Sequence, residues 1–403
     1  MPFIEQLLNG ENVEWKKLGE VCEIKRGTTL AKSDKDINGN IPIILYGELY
    51  TTYGNYINTI ASYTTIEKAS KGTVAKSGDI LLPISSTTKE AKIGKASAIS
   101  VDTTIYIGGD AIILSHTQVP GYLVYLLNGS WFEKLKMKCV TGTTIMHLSP
   151  KKLSNILIPL PPLSVQHKIV EILDKFTALE AELEAELDCR KRQYEYYRNQ
   201  LLSFDILNKG RQKLNDVKVM TLGEIAKYSS TRIKSSCLCE TSFVGVDNLL
   251  QDRKGKTIST HVPTEGTFAE YQVGDILIGN IRPYLKKIWY ADNSGGASGD
   301  VLVIHLTNEQ IMSRYLYQVL ADDKFFSYNM QHAKGAKMPR GNKQKIMEYK
   351  IPLPPLSVQR EIVEILDKFD TLCNSISEGL PTEIELRRKQ YEYYRNQLLT
   401  FAQ

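Results

Sequence analysis

Long apolar runs are missing from this 403-residue chain. None approaches the roughly 18–20 residues that a membrane-spanning helix needs, and residues 1–15 lack the layout of a secretory signal. Metal-binding spacings are missing too. The six cysteines are scattered at positions 22, 139, 189, 237, 239 and 373. Only Cys237 and Cys239 are close, with no second pair and no spaced histidines, so zinc is not expected. The reading is a cytoplasmic protein with free thiols. Catalytic motifs are equally scarce. The six histidines are dispersed, with no nucleophile partner in view. Gly255-Lys256-Thr257 looks like the end of a phosphate loop, but Leu250 stands where the first glycine of that loop belongs. No Asn/Asp-Pro-Pro-Tyr/Phe motif occurs, because each Pro-Pro pair is followed by leucine. No cofactor is therefore expected in this chain, and it is not expected to be an enzyme by itself. A strong excess of one charge is absent as well. Fifty basic against 45 acidic residues leave a net charge of +5, which permits a nucleic-acid partner without demanding one. The 42% hydrophobic and 24% charged composition is that of an ordinary globular protein with room for two or three domains.

What the chain does contain is a long repeat. Residues 158–204 open IPLPPLSVQHKIVEILDKF and close RKRQYEYYRNQLLSF; residues 351–401 open IPLPPLSVQREIVEILDKF and close RRKQYEYYRNQLLTF. Seventeen of the first 19 positions and 12 of the last 15 are identical, at offsets of 193 and 197. A period that long means two large modules, each followed by the same connector, rather than a solenoid. The prolines keep IPLPPL extended, and Ser164 offers an N-cap oxygen where the apolar period begins. From Ile169 a 4-3-4-3 spacing runs through Leu173, Phe176, Glu180, Leu183, Leu187, Arg190, Tyr194, Tyr197 and Leu201. This is a coiled-coil seam, and about 40 helical residues would span ~60 Å. The second copy keeps the seam through Ile362, Leu366, Phe369, Cys373 and Ile376. It then meets Gly379-Leu380-Pro381, which should stop or kink the helix before it restarts through Tyr391, Tyr394 and Leu398. Two matching stripes bury each other most economically, so an antiparallel intramolecular pair with pseudo-two-fold symmetry is expected. The alternative is that each helix caps its own domain.

The modules themselves are diverged copies. Leu18-Gly19-Glu20 matches Leu222-Gly223-Glu224, Gly78-Asp79-Ile80-Leu81 matches Gly274-Asp275-Ile276-Leu277, and Gly109-Asp110 matches Gly299-Asp300. A helix opening on Tyr122-Leu123 matches one opening on Tyr315-Leu316. Each module reads as an α+β mixture. The expected division is a first module over 1–157 with a short helical lead-in, a helical connector over 158–214, a second module over 215–350 and a second connector over 351–403. The lead-in, with Gln6-Leu7-Leu8 like Gln200-Leu201-Leu202, should complete the helical frame beside the C-terminus.

IPLPPLSVQ…IVEILDKF followed by RKxQYEYYRNQLL, once mid-chain and once at the end, resembles the conserved regions of type I restriction-modification specificity subunits. The Leu-Gly-Glu openings, the Gly-Asp-Ile-Leu strands and the Gly142 and Gly335 segments ahead of IPLPP also resemble that family. The resemblance implies two target recognition domains separated by two conserved helices, each domain reading one half of a bipartite DNA site. The helices would set the unread spacer and dock two modification (methyltransferase) subunits, which restriction subunits then join. It places adenine-N6 methylation with S-adenosylmethionine, and ATP- and Mg2+-dependent cleavage, in those partners.

Base-edge and phosphate contacts require Arg, Lys, Asn, Ser, Thr and aromatic residues on divergent loops. The candidates in the first module are Lys25, Arg26, Ser85, Ser86, Thr87, Lys89, Lys92, Lys136, Lys138, Thr141, Thr143 and Thr144. Those in the second are Arg232, Lys234, Asn280, Arg282, Tyr284, Lys286, Lys287, Lys334, Lys337, Arg340 and Lys343. Arg282, on the proline-stiffened turn Asn280-Ile281-Arg282-Pro283-Tyr284, leads them. Helix-pair and partner-docking candidates are Ile169, Leu173, Phe176, Leu183, Leu187, Tyr194, Tyr197, Leu201, Ile362, Leu366, Phe369, Tyr391, Tyr394 and Leu398. At helical spacing the tyrosines are expected in the seam rather than stacked on bases. A rival reading is a non-catalytic coiled-coil adaptor carrying two protein-binding modules.

Overall fold

The computed structural model describes residues 3–70, 72–87, 92–142, 144–203, 217–375 and 378–401. The chain divides into two compact units: Met1–Ala181 with Leu386–Gln403, and Glu182–Glu385. Three helices come from the repeat: α1 (Leu163–Leu201), α2 (Leu356–Asn374) and α3 (Leu380–Leu399). Ile376, expected in the second seam, lies outside the described residues. No helix among the described residues is long and apolar enough to cross a membrane.

In each unit the extended IPLP segment is clasped by the strand that opens the module. Glu14–Lys17 runs antiparallel to Leu157–Leu160 in unit 1, and Lys218–Thr221 to Lys350–Leu353 in unit 2. The Leu-Gly-Glu turn follows at once. Its glutamate folds back onto the backbone N–H three residues earlier, Glu20 on Lys17 and Glu224 on Thr221, the carboxylate half of a capping box.

Unit 1 has a five-stranded sheet in the order Glu23–Arg26, Ala111–Ser115, Ile80–Pro83, Ser97–Ile99, Tyr56–Ile57, all antiparallel except the last pair. A four-stranded sheet runs Ser62–Thr64, Ile41–Ile44, Ile105–Ile107, Thr73–Ala75. The Gly-Asp strand is buried on both faces. Ile80 and Leu82 enter one core with Ile112, Leu114 and Tyr122, while Leu81 enters a second with Ile44, Ile57 and Ile113. Successive strand side chains point to opposite faces, so a continuous apolar run marks a strand covered twice. Unit 2 repeats the device. Its sheet Ala226–Tyr228, Val301–Leu306, Ile276–Gly279, Ile288–Tyr290 is wholly antiparallel. Ile276 and Ile278 face one core and Leu277 the other.

The repeat helices pair within each unit. In unit 1, Phe176 of α1 stacks on Tyr394 at 5.4 Å and lies 6.4 Å from Tyr391, and Glu180 binds Arg388. In unit 2, Phe369 of α2 stacks on Tyr194 and Tyr197 of α1 at 5.9 and 5.4 Å. The phenylalanine of each copy thus meets the tyrosines of the other. In unit 1 the contacting positions rise along α1 as they fall along α3, an antiparallel arrangement. The seam residues also serve the module cores: Ile169, Leu173 and Leu398 belong to that of unit 1, and Ile362 and Leu366 to that of unit 2. Leu187 and Leu201 pack half-buried against the unit 2 core, and Leu183 is half-buried. Capping by its partner helix and capping of its own module are therefore combined in one helix.

Two local expectations about the connectors have different outcomes. Helix α2 stops at Asn374 and α3 starts at Leu380 after Gly379 at φ +88°, as the glycine-proline signal required. Ser164 is not an N-cap. The carbonyl of Pro162 already accepts the Val165 and Gln166 N–H groups, so the helix begins before Ser164. Helix α1 starts at Leu163, directly after Pro162, because proline is tolerated at a helix start, where its missing N–H is not needed. The lead-in helix Phe3–Leu8 packs Ile4, Leu7 and Leu8 into the cluster that holds Leu398, Leu399 and Phe401. All six cysteines are free.

Candidate nucleic-acid interface

The same short ribbon stands at the end of the Gly-Asp strand in both units. In unit 1, Ser85–Ser86 pairs with Met146–Leu148, which pairs with Val140–Thr141 around Gly142 at φ +94°. In unit 2, Ile281 bridges Arg340 and Arg340 bridges Lys334, around Gly335 at φ +99°. The residue that follows the strand is tied identically: Ile84 N–H donates to the Asp110 carbonyl and Asn280 N–H to the Asp300 carbonyl, both at 2.8 Å. An arginine reaches each of these aspartates, Arg26 to Asp110 at 3.6 Å and Arg340 to Asp300 at 3.2 Å. The two loops singled out in each module, far apart in sequence, are thereby laced together.

Within unit 1 the exposed members of this edge are Thr87, Lys92, Lys138, Thr141 and Thr144, with Arg26 on the neighbouring strand end. Lys25 is exposed and paired with Glu23 at 2.9 Å. Ser85 and Ser86 are buried; Ser85 Oγ lies 3.0 Å from His147 Nδ1, and its carbonyl accepts the Tyr50 hydroxyl. They brace the ribbon from below, and the exposed His147 takes the position on the surface. Lys136 is a clear correction. Its side chain is enclosed, with Nζ on Glu133 at 2.6 Å and on the Gly94 carbonyl at 3.0 Å. Burial lowers the affinity of this ammonium for its proton, and Glu133 opposes the shift. It is a core cation that holds the loop at Gly94, not a phosphate contact. Lys89 and Thr143 lie outside the described residues.

Within unit 2 the turn Pro283–Leu285 is flanked by Arg282 and Lys286, both left-handed at φ +53° and +51°. Such backbone is uncommon for a bulky residue and tends to cluster at functional sites. Arg282 N–H is fixed by the Pro339 carbonyl at 2.7 Å, while its exposed side chain has no hydrogen-bond or ion-pair partner among the described residues. Tyr284 is 50% exposed beside it. Lys334, Lys337 and Lys343 are exposed and likewise without side-chain partners among the described residues. Lys286 and Lys287 are engaged, the first with Asp323 at 2.8 Å and the second with the Val246 carbonyl at 2.6 Å. Asn280 is buried and supports the turn instead of facing outward. Arg232 and Lys234 are exposed on an edge strand of the other sheet, Arg232–Lys234, apart from this ribbon.

Gly341 is what allows the ribbon to close on Asn280. A Cβ there would overlap Asn329 Oδ1 and lie 2.7 Å from Asn280 Oδ1. Gly341→Ala is therefore expected to destabilise the unit by about 1–3 kcal/mol through overpacking, read as a lowered midpoint in urea. An unchanged midpoint would mean that both amides can step aside.

Sequence reasoning missed the residues that seat each module on its helix. Gln166 and Gln359 are fully buried. Gln166 accepts from Val119 N–H and donates to the Pro161 carbonyl; Gln359 accepts from Met312 N–H and donates to the Pro354 carbonyl. Their identity in both copies was the available signal, but a polar residue on a helix reads as solvated until its burial is known.

The ribbon is built twice on one frame, and comparison with known proteins places that tandem frame in a family of DNA-specificity domains. The sequence profile described as "Type I restriction modification DNA specificity domain" matches residues 10–188 and 215–386. The specificity subunit of the type I restriction enzyme EcoR124I/EcoR124II of Escherichia coli is 32% identical, with 100% of this chain and 97% of that protein covered. A putative type I specificity subunit of Haemophilus influenzae is 31% identical over 99% of this chain and 98% of its own. The crystal structure of an S subunit from M. genitalium superposes with a TM-score of 0.58 at 17% identity, covering 98% of both chains, a likeness of fold. The chain belongs to the family of type I restriction-modification specificity subunits.

Proposed function

We propose that this chain is the DNA-reading, non-catalytic subunit of a type I restriction-modification complex. Each module reads one half of a bipartite, asymmetric site in double-stranded DNA. The division is that expected from the sequence: modules over 1–157 and 215–350, connectors over 158–214 and 351–403. The observation that carries the reading is the repeated ribbon: one frame, presented twice, with exposed threonine, histidine and lysine on one copy and exposed arginine, tyrosine and lysine on the other. Different groups on one frame suit different half-sites. Thr87, Thr141 and Thr144 supply hydrogen bonds in the first module, with Lys92 and Lys138 on phosphates. Arg282 reads a base edge in the second, with Lys334, Lys337 and Lys343 on phosphates.

The connectors fix the unread spacer and dock two modification subunits. Tyr196 and Tyr393, equivalent in the two copies and each 61% exposed, offer matched places for two copies of one partner. Adenine-N6 methylation and ATP-dependent cleavage, with S-adenosylmethionine, ATP and Mg2+, belong to the modification and restriction subunits, and the assembly works in the cytoplasm.

The test is a salt titration of binding to a duplex of the host's methylated motif, using the chain together with its modification subunits. Affinity is expected to fall steeply and log-linearly with salt, because phosphate contacts release counterions. Binding that ignores both salt and motif would favour the adaptor instead.

A further inference from the structure

The segment EILDKF carries the same aspartate in both copies, Asp174 on α1 and Asp367 on α2. Each is bonded by its module, but with different chemistry. Asp174 Oδ1 accepts the hydroxyls of Tyr56 at 2.9 Å and Tyr125 at 2.6 Å. Asp367 accepts Arg314 Nε at 2.8 and 3.0 Å on its two oxygens, and Gln318 Nε2 at 2.6 Å.

Tyr125 and Gln318 occupy the same place in the repeated module helix. Each follows by three residues a tyrosine, Tyr122 or Tyr315, whose hydroxyl donates to the first proline carbonyl of IPLPP. One position before those tyrosines stands Gly121 in unit 1 and Arg314 in unit 2. A Cβ on Gly121 would overlap the Tyr56 hydroxyl, so glycine there admits the donor that Tyr56 brings from elsewhere. In unit 2 the equivalent residue is itself the donor, its guanidinium lying over Tyr290 and Tyr317 at 4.9 and 4.8 Å. Gln318 is also held by Arg198 near the end of α1, at 2.9 Å. Burial and the neighbouring carboxylate push the Tyr56 and Tyr125 phenols far up, so both remain donors at any working pH. A carboxylate kept in both copies, yet met by unrelated donors, is defined by what it holds: the module on one side and the spacer helix on the other.

We propose that Asp174 and Asp367 are positioning residues that latch each recognition module to its helix and so set how strictly the spacer length is enforced. This deepens the spacer reading above and rests on it. The two latches differ in kind. Asp174→Asn leaves an amide oxygen to accept a phenol, whereas Asp367→Asn leaves a half-buried guanidinium facing a neutral group, the costlier loss.

The experiment expresses the full chain, wild type or variant, with the modification subunit in a methylation-free host and sequences modified bases genome-wide. Wild type is expected to methylate one spacer length. Asp367→Asn is expected to raise methylation at spacers one base pair shorter and longer roughly tenfold relative to the native spacer, the scale of one charge-assisted hydrogen bond. The bases required in each half stay the same, and Asp174→Asn shows a smaller effect in the same direction. If wild type accepts many spacers equally, the spacer reading itself fails. If wild type is strict and Asp367→Asn is equally strict with lower yield, Asp367 only stabilises the fold and the latch is overturned. Loss of base preference in one half without any spacer effect overturns it as well.

Discussion

Duplicating the four residues Leu179-Glu180-Ala181-Glu182 directly after Glu182 is expected to move methylation to a motif whose spacer is about two base pairs longer. Four helical residues add ~6 Å, and a duplex advances ~3.4 Å per base pair. Leucine, alanine and glutamate are strong helix formers, so the insert continues the helix. The place matters. Ala181 and Glu182 mark the division between the two units, so the packing of α1 within each unit keeps its own register. The second copy is already interrupted between Asn374 and Leu380, where added length meets the least resistance. Sequencing of modified bases reads the outcome. Methylation persisting at the original spacer would show that α1 does not measure the distance.

Removing the Arg282 guanidinium is expected to weaken binding by about 1–3 kcal/mol through one half-site only, with relaxed base choice at one position there. Arg282 sits in left-handed backbone at φ +53°, where alanine is strained but glycine is not. Arg282→Gly is therefore the cleaner variant, and Arg282→Ala adds a strain cost to the same loss. Lys334→Ala provides the contrast: weaker binding to every sequence and a salt slope reduced by about one. Competition binding with duplexes altered in one half or the other separates these results. Equal loss whichever half is altered would count against Arg282 as a base reader.

The frame of this protein was largely legible in its sequence. The repeat announced two modules and paired helices; the matched Gly-Asp-Ile-Leu runs marked a strand led by a turn in each module; Gly379-Leu380-Pro381 marked the break. Identical residues at fixed offsets are a signal that needs no knowledge of packing. The candidate interface was legible only as two separate loops per module. Their union depends on a long-range pairing, Met146 against Ser86 or Ile281 against Arg340, that no local pattern encodes. Burial was the other blind spot. Lys136 sits in a basic run, Lys134-Leu135-Lys136-Met137-Lys138, in which one lysine turns inward to Glu133 because helical spacing puts it on the apolar face. Gln166, Asp174 and their echoes looked like solvated helix positions for the converse reason.

The last residues of the chain complete the first unit. Leu398, Leu399 and Phe401 share a core with Ile4, Leu18 and Tyr122, and α3 supplies the aromatic partners of Phe176. While the polypeptide is still emerging from the ribosome, the leading module has its sheets but lacks this closing piece. It must wait for a helix that follows the whole of the second module. A chain cut short before Leu380 would lack α3 and leave the apolar surface that Leu398, Leu399 and Phe401 cover in the first unit open to solvent. The fold thus ties completion of the first unit to the synthesis of the second.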